Sequence, residues 1–319
     1  MPRLGTAARA ADAHGDAVWC ARWAPGGGGG GGAGGGGAVL ATGAADESVK
    51  VWGLGPGGDA LTLEHTSEGI QLGVVALAVD AAGKYAAFSG LDSVVRVLDW
   101  RSLKQVANIN LPPSESWGVA FAPGAAGLLA VAAGSAGGAG VYRVGGGGEA
   151  EKVATLAPPP GPAKGFAMSV AYSPDGGRLA VGGGDGTVGV YDVGTGALLH
   201  TLASTAHAVR SLDWTPEGRY LLTASDDNAL RLYDAEHADL IQLLGGHENW
   251  ALGAAFTPDG QAFASCGADK TVKLWEWHTR ACVQTVEHAD IVWDVDFSPD
   301  GKYLAAVSED KSVSVYTVA

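Results

Sequence analysis

The protein has 319 residues, 47% hydrophobic and 17% charged, which is enough to bury the core of one large domain or of two ordinary ones. Its net charge of −14 argues against a sequence-independent nucleic-acid binder and against docking on an anionic membrane, because both need a basic surface. The three cysteines are too sparse for a disulfide framework and lack metal-ligand spacing with histidines, so the sequence predicts a reducing compartment.

Two features stand out in the first part of the chain. Residues 1–15 lack the apolar core of a secretory signal, and the sequence contains no apolar run as long as a membrane span. Residues 24–43 read APGGGGGGGAGGGGAVLATG, which matches the dinucleotide-binding pattern G-x-G-x-x-G trivially. A dinucleotide site needs a strand, a tight turn and then a helix, whereas this run leads into another strand pattern. A nucleotide site is therefore disfavoured.

A turn signal recurs along the whole chain. Its seven copies are APGG at 24–27, DAAG at 80–83, APGA at 122–125, SPDG at 173–176, TPEG at 215–218, TPDG at 257–260 and SPDG at 298–301. Each copy follows a large apolar residue, such as Phe256 or Phe297. Proline at the first central position and a closing glycine are typical of a type I turn in a hairpin.

Short alternating runs follow these turns and end in a large, mostly aromatic residue. The seven ends are Trp52, Leu98, Tyr142, Tyr191, Tyr233, Trp275 and Tyr316, which lie 41 to 49 residues apart. Alternation with a period of two between turns predicts β-strands. A repeat of this length with four strands per unit predicts a propeller blade. The fold class we predict is all-β, a seven-bladed β-propeller of four-stranded antiparallel blades.

Polar residues recur at fixed distances within these repeats. An Asp lies six residues before the strand end in six repeats, and three repeats carry a His nine residues before the residue that precedes the turn. Together with Gly246-His247 and the WE, YD and LD pairs, this pattern resembles the WD-repeat family. The resemblance implies buried hydrogen-bond networks of His, turn Asp, strand-end Trp and a hydroxyl. They would be His14–Asp46–Trp52, His247–Asp269–Trp275 and His288–Ser308–Asp310, with Gly267 supplying no hydroxyl in the sixth repeat.

The repeat also predicts how the ring closes. Only three residues follow Tyr316, so the outer strand of the last blade should come from residues 1–12, within a single domain spanning 1–319. In blade one the turn Pro25 lies 21 residues before Asp46, whereas the corresponding distance is 11 in the last four blades. We therefore interpret residues 26–38 as a glycine-rich loop insertion between the first two strands of blade one, at the end of the blade opposite the His and Asp turns.

A ring of large side chains is expected around the narrow face, the end of the ring that carries the His and Asp turns. The positions five residues beyond the family His are Trp19, Val75, Trp117, Met168, Arg210, Leu252 and Trp293, and Trp250 lies nearby. Trp, Arg and Met are enriched at interaction hot spots, so Trp19, Trp117, Met168, Arg210, Trp250 and Trp293 are the predicted partner-binding residues. The alternative is that these tryptophans only fill space between the inner strands.

Catalysis and cofactor binding are not predicted. His207, Ser211 and Asp213 invite comparison with a hydrolase, but the repeat already explains His and Asp in series, and the nucleophile pattern G-x-S-x-G does not occur at a strand-to-helix turn. The turn aspartates come singly, whereas Ca²⁺ needs six to eight oxygens gathered together. We therefore expect no enzyme activity, no cofactor and no metal.

The order of blade variants is similar to one branch of the family, the WD-repeat scaffold subunit of the superkiller (Ski) complex, which is shared with the polymerase-associated factor complex. The stretches that carry this likeness are GIQLGVVALAVD, SVAYSPDGGRLAVGGGDGTVGVYDVGTGALLHTL, VRSLDWTPEGRYLLTASDDNALRLYDAEHADL and TRACVQTVEHADIVWDVDFSPDGKYL. The glycine insertions and the weak third repeat depart from the pattern.

The resemblance implies a non-catalytic scaffold, cytoplasmic and nuclear, that supports helicase-driven RNA decay by the exosome. Its implied partners are a tetratricopeptide-repeat protein and an RNA helicase, with polymerase-associated factor subunits as further partners, and without direct contact to nucleic acid or membrane. Two other scaffold roles stay open. One is a subunit of a ciliary or trafficking assembly. The other is a substrate receptor of a cullin ubiquitin ligase, for which LDWR at 98–101 is a near match to the docking signature.

Overall fold

The computed structural model describes residues 2–25, 38–67, 70, 72–112, 116–124, 127–132, 137–145, 150–160, 166–202 and 206–319. These residues form 28 β-strands in seven four-stranded antiparallel sheets. Neighbouring sheets pack through their inner strands in a closed circle. The predicted fold class, a seven-bladed β-propeller, is confirmed. Most of the glycine-rich insertion predicted at residues 26–38 lies outside the described residues.

The first three blades follow the chain directly from inner to outer strand. Blade one is β2 (Val18–Ala24), β3 (Val39–Ala44), β4 (Val49–Leu54) and β5 (Leu61–Ser67); blade two is β6 (Val74–Val79), β7 (Tyr85–Gly90), β8 (Val94–Asp99) and β9 (Lys104–Asn110); blade three is β10 (Val119–Phe121), β11 (Leu128–Ala132), β12 (Ala139–Val144) and β13 (Ala150–Leu156). The insertion of blade one therefore falls between its two innermost strands, β2 and β3.

Blades four to six repeat the same order. Blade four is β14 (Ala167–Tyr172), β15 (Arg178–Gly183), β16 (Val188–Asp192) and β17 (Leu198–Leu202); blade five is β18 (Val209–Trp214), β19 (Tyr220–Ser225), β20 (Leu230–Asp234) and β21 (Asp239–Leu244); blade six is β22 (Ala251–Phe256), β23 (Ala262–Gly267), β24 (Thr271–Glu276) and β25 (Cys282–Glu287). The second strand of each blade is almost entirely buried, and the outer strand is the most exposed.

Blade seven is completed by the two ends of the chain. It contains β26 (Val292–Phe297), β27 (Tyr303–Ser308), β28 (Val313–Val318) and, as its outer strand, β1 (Leu4–Ala10). Strand β1 pairs antiparallel with β28, and Thr6 lies opposite Tyr316. The backbone N–H and C=O of Leu4 also bond to the side chain of Gln284 in blade six, at 2.8 and 2.9 Å. Closure by an N-terminal strand is thus observed, although LGTAARA is poor in β-formers, because pairing with β28 outweighs local propensity.

The recurring turns have a common local design. In SPDG the Ser173 hydroxyl donates a hydrogen bond to the Asp175 carboxylate. The Gly176 N–H donates to the Ser173 carbonyl at 2.8 Å, and Gly176 has a φ of 71°. Gly301 repeats this geometry in blade seven. A positive φ costs glycine little because it has no Cβ, which explains why glycine closes these hairpins.

The turn aspartates between the second and third strands shape their own hairpins. Asp46 accepts the backbone N–H of Ser48 at 3.1 Å, and Asp310 accepts that of Ser312 at 3.0 Å. The residue between them, Glu47 or Lys311, has a φ of 64° or 67°. Asp side chains bond to the backbone two residues on and so stabilise such turns. The Asp therefore stabilises its hairpin also in blades without a His, as Asp185 does by accepting the Thr187 N–H at 3.0 Å.

The core lies between the blades. Large apolar side chains of each blade pack against the next one, so that every inter-blade space holds its own cluster. Side chains also bond across these spaces: the Trp214 indole N–H donates to the Ala171 carbonyl of blade four at 3.0 Å. Cys20 and Cys266 are buried and free, and Cys282 is exposed and free.

Candidate partner-binding site at the channel mouth

The seven positions predicted to ring the channel do come together. All of them line one central cavity of about 330 Å³, which receives residues from all seven blades. The residues are Trp19, Val75, Trp117, Met168, Arg210, Leu252 and Trp293. They converge because each lies at the start of an inner strand, or two residues before it in blade three, and the inner strands surround the axis. Leu252 is buried and the other six are partly exposed.

Two of these side chains are held by acidic partners from adjacent turns. The Trp293 indole N–H donates to Glu309 Oε2 at 2.6 Å. The Arg210 guanidinium makes a two-pronged ion pair with Asp226, with Nε and Nη2 at 2.9 and 2.8 Å from its two carboxylate oxygens. Such bidentate pairs fix the plane of the guanidinium. The mouth therefore presents pre-oriented side chains rather than freely rotating ones.

Trp250 extends this site outward. It is 46% exposed and precedes β22, so it lies on the rim rather than in the cavity lining. The Arg210 guanidinium carbon is 5.9 Å from its ring centroid, which is within cation–π range. Trp and Arg are enriched at binding hot spots, and here an exposed indole lies beside an oriented guanidinium.

Trp19 is fixed by packing instead. A Cβ added to Gly73 would lie only 2.8 Å from the Trp19 ring, and Gly73 has a φ of 85°. Glycine therefore permits both the backbone turn and the close approach of the indole. The predicted site residues thus form one continuous surface, the channel mouth, made of Trp19, Trp117, Met168, Arg210, Trp250 and Trp293.

The first predicted hydrogen-bond network is present and includes a residue that sequence reasoning missed. The His14 Nδ1 atom lies 3.0 Å from Asp46, and its Nε2 lies 2.8 Å from the Thr42 hydroxyl. The Trp52 indole N–H donates to the same hydroxyl at 2.9 Å. The chain of contacts runs from Trp52 through Thr42 and His14 to Asp46.

The second network has the same form and corrects one expectation. His247 bonds to Asp269 at 2.9 Å and to the Ser265 hydroxyl at 2.7 Å, and the Trp275 indole donates to Ser265 at 2.9 Å. A hydroxyl was expected to be missing because Gly267 cannot supply one. It comes instead from Ser265, ten residues before Trp275, the same spacing that separates Thr42 from Trp52.

The third network differs from the predicted His288–Ser308–Asp310. The Tyr316 hydroxyl lies 2.8 Å from His288 Nε2 and takes the place of both the indole and the small hydroxyl. Ser308 donates to the carbonyl of Ile291 at 2.9 Å, and Asp310 pairs with Arg9 at 2.9 Å. Among the described residues, no hydrogen bond links His288 to Asp310. The physical reason is that Tyr316 reaches further than a serine and that Ser308 points to the backbone.

The comparisons with known proteins agree with this geometry. The WD40 family pattern, "WD domain, G-beta repeat", matches residues 7–53, 152–192, 196–234, 238–276 and 280–317. The chain belongs to the WD40 repeat family. Blade two and most of blade three fall outside the matched residues, and the third repeat is the one whose sequence departs from the repeat pattern.

Two WD-repeat proteins are similar in sequence to this WD40 chain over part of its length. It is 40% identical to "WD repeat-containing protein VIP3" of Arabidopsis thaliana over 210 residues, which are 63% of this chain and 61% of that protein. It is 28% identical to "WD repeat-containing protein SL1-17" of Schistosoma mansoni over 204 residues, with the same coverage. The match thus spans about three-fifths of each relative. WD40 propellers are generally non-catalytic scaffolds, and neither match indicates an enzyme.

Burial disfavours the charged form of two of the network histidines, His14 and His288. Burial lowers the pKa of His14 below its ordinary value, against the raising effect of Asp46. Burial also lowers the pKa of His288. Burial opposes ionisation of Asp269, but the hydrogen bond from His247 and its other partners outweigh this and lower the pKa of Asp269 to about 2. These groups act structurally, because each is already engaged within its blade.

A second polar group lies deeper along the inner strands and was missed at the sequence level. Asp294 binds Arg22 Nη1 at 2.6 Å and accepts the Ala21 N–H at 3.1 Å, and Asp296 accepts the Trp23 N–H at 2.7 Å. These bonds join blade seven to blade one. Burial raises the pKa of Asp296 to about 7. Asp294 could have been found because the other blades carry a small residue at its position in the inner strand. Asp296 shares its position with Asp213 of blade five, whereas four other blades carry Ala there.

The residues that invited comparison with a hydrolase are occupied otherwise. The Ser211 hydroxyl bonds to the backbone of Ala254, and Asp213 accepts the Phe256 N–H at 2.6 Å, so both join blade five to blade six. Burial raises the pKa of Asp213 to about 6. His207 is exposed on a loop.

One side-chain cluster in the described part of the chain has metal-ligand spacing. It consists of Asp234, Glu236 and His237, and Asp234 is already paired with Arg219 at 3.0 Å. The Asp234 carboxylate also accepts hydrogen bonds from the Glu236 and His237 N–H groups, so it caps the turn.

Among all the residues that the structure describes, no helix is long and apolar enough to cross a membrane.

Proposed function

We propose that the protein is an interaction scaffold whose channel mouth captures short segments of its partners. The observation that carries this proposal is the convergence of Trp19, Trp117, Met168, Arg210 and Trp293 on one cavity, with Trp250 on its rim. Apolar rings supply contact area at low entropic cost, and Arg210, held by Asp226, supplies a directional donor. A cavity of about 330 Å³ suits one or two side chains of a partner rather than a folded domain.

We further propose that the partners belong to the Ski complex. The support is the resemblance of four long stretches to its WD-repeat scaffold subunit, which covers blades two and four to seven. The net charge of −14 also favours a division of labour in which a helicase, not the propeller, holds RNA. On this proposal a tetratricopeptide-repeat protein and an RNA helicase bind the propeller, and the complex feeds RNA to the cytoplasmic exosome. A nuclear role with polymerase-associated factor subunits is part of the same proposal.

The mechanism is one of geometry rather than chemistry. A closed ring with bonds across its inter-blade spaces is stiff, so partners that bind different segments of it are held in a fixed relative arrangement. Short peptide segments pay little ordering entropy when the side chains that receive them are already oriented. The ion pair at Arg210 and the bond from Trp293 to Glu309 provide that orientation.

The test is affinity purification of the tagged, full-length protein from its own cells, followed by identification of what copurifies. The proposal expects a tetratricopeptide-repeat protein and an RNA helicase in amounts comparable to the bait. Recovery of a cullin adaptor would support the receptor role, for which LDWR at 98–101 is the only sequence support. Recovery of ciliary or trafficking subunits in place of the helicase would overturn the Ski assignment while leaving the scaffold role intact.

A further inference from the structure

The outer strand of blade five is unusual among the outer strands. Three of its six residues are large, apolar and exposed: Leu240 by 51%, Ile241 by 39% and Leu243 by 56%. By contrast, β5, β13 and β17 each have one such residue, at Leu63, Val153 and Leu199, and the described parts of β1, β9 and β25 have none. Contiguous exposed apolar side chains are uncommon on a protein surface unless something covers them.

The same strand offers its backbone. In the described residues β21 is the last strand of its sheet and pairs with β20 alone, so its second edge has no strand partner. Edge strands are usually protected by lysine, proline or a bulge that turns the edge away. The sequence DLIQLL contains neither lysine nor proline, and the bulge in its pairing lies at its N-terminal half, beside Leu240. The edge from Ile241 onward is therefore open to another strand.

The charges around this edge are mostly acidic. Asp239 begins the strand, Glu236 lies in the turn before it and Glu248 lies in the loop after it, and all three are exposed. Arg280 approaches from blade six, but its Nη1 is bound to Gln242 Oε1 at 3.0 Å. An incoming strand with basic residues beside its apolar ones would therefore find complementary charges at both ends of β21.

Charge also argues against a second copy of this chain on the same edge. Antiparallel pairing of two β21 strands would bring Asp239 and Glu236 of one copy toward Glu248 of the other. Like charges placed opposite one another in paired strands are destabilising. The surface therefore favours a different chain with the opposite charge.

We propose that β21 is a second docking surface, separate from the channel mouth, which takes an extended segment of a partner protein as a fifth strand of blade five. The segment would carry apolar residues that cover Leu240, Ile241 and Leu243, flanked by lysine or arginine. A strand of six residues is about 20 Å long, so the contact would take about six residues of the partner. Main-chain hydrogen bonds would provide affinity, and the apolar and basic side chains would provide specificity.

The experiment selects random ten-residue peptides displayed on phage against the intact protein, with the L240S/L243S variant used for counter-selection. Enriched peptides are then synthesised and their dissociation constants measured by fluorescence anisotropy. The proposal expects peptides rich in apolar residues and Lys or Arg, whose affinity falls at least tenfold for L240S/L243S. The matched control L63S/L199S changes exposed leucines on β5 and β17, at 46% and 44%, and should bind as the unaltered protein does.

Two further measurements separate strand addition from simple hydrophobic contact and from the channel mouth. Peptides N-methylated at every second residue, in both registers, should lose binding in one register, and bound peptide should slow amide exchange in β21. The W19A/W293A variant should bind the peptides normally. The proposal is overturned if no peptide depends on Leu240 and Leu243, if the enriched peptides are acidic, if both N-methylated series bind, or if the protein forms a dimer that L240S/L243S abolishes.

Discussion

Trp23 joins blade one to blade seven by donating two hydrogen bonds to Asp296. The Trp23 backbone N–H donates to the Asp296 carboxylate at 2.7 Å, and its indole N–H donates to the Asp296 carbonyl at 3.0 Å. This seam lies where the chain closes on itself, since the sheet of blade seven contains both ends of the chain. The inner seam and the outer pairing of β1 with β28 therefore act at the same junction.

The first prediction concerns the pH dependence of this seam. Asp296 binds its proton more tightly in the folded protein, where its pKa is about 7, than in the unfolded chain, where the ordinary value is 3.8. Its contribution to stability is therefore fully present below pH 3.8 and is lost as the pH rises from 3.8 to about 7. Between these two values the free energy of unfolding falls by about 1 kcal/mol per pH unit. The D296N variant keeps an acceptor for the Trp23 N–H but carries no charge.

We expect D296N to gain stability relative to the unaltered protein on going from pH 5 to pH 8, as measured by urea unfolding at both values. The comparison isolates Asp296 from His14 and His288, whose lowered pKa values act in the opposite direction below pH 6.5 and are common to both proteins. An equal stability difference at the two pH values would contradict the prediction.

The second prediction compares one substitution at two equivalent positions. Thr42 and Thr223 are both fully buried and lie ten residues before Trp52 and Tyr233. Thr42 bonds to His14 and Trp52, whereas the Thr223 hydroxyl has no hydrogen-bond partner among the described residues. T42V should lower the free energy of unfolding by about 1–3 kcal/mol, because it leaves two buried groups unpaired.

T223V is the matched control and should be neutral or stabilising, because it removes a buried hydroxyl that has already lost its bonds to water. Chemical denaturation of both variants is the measurement. Equal losses of stability in the two variants would show that the network of blade one contributes nothing beyond packing.

The third prediction tests the closure of the ring. Deleting residues 1–12 removes β1, its pairing with β28, the Arg9–Asp310 ion pair and the buried Leu4 side chain. The free edge of β28 and the apolar residues beneath β1 would then be exposed. We expect the melting temperature to fall by about 10 °C, which corresponds to a loss of about 3–5 kcal/mol. An unchanged melting curve would rule out a stabilising role for this strand.

The fourth prediction concerns the glycine-rich insertion, most of which lies outside the described residues. Shortening a hairpin loop by about ten residues changes its closure entropy by only about 1 kcal/mol. Deletion of residues 27–36 should therefore leave the melting temperature within about 3 °C and leave binding at the channel mouth unaltered. A large loss of partner binding would instead assign a role to the opposite end of the ring.

Much of this architecture could be predicted from the sequence, because turns and strand ends that recur in every blade report on backbone geometry. The third network could not, because the spacing of His288, Ser308 and Asp310 says nothing about which way Ser308 points or how far Tyr316 reaches. The hydroxyl of Ser265 was findable, since it repeats the spacing of Thr42. The exposed apolar stripe on β21 could not be predicted, because no sequence pattern marks its residues as exposed. Only the packing shows which of its leucines remain uncovered.

The proposed scaffold function depends most directly on the channel mouth, and one measurement tests this dependence. The tagged protein and its W19A/R210A/W293A variant are purified from the same cells, and the copurifying proteins are quantified for both. Matching melting temperatures provide the control for folding. We predict that the variant keeps its fold and loses at least nine-tenths of its partners, because the oriented aromatic and guanidinium groups are gone. Recovery of the same partners in the same amounts by a folded variant would contradict the claim that this mouth is where they bind.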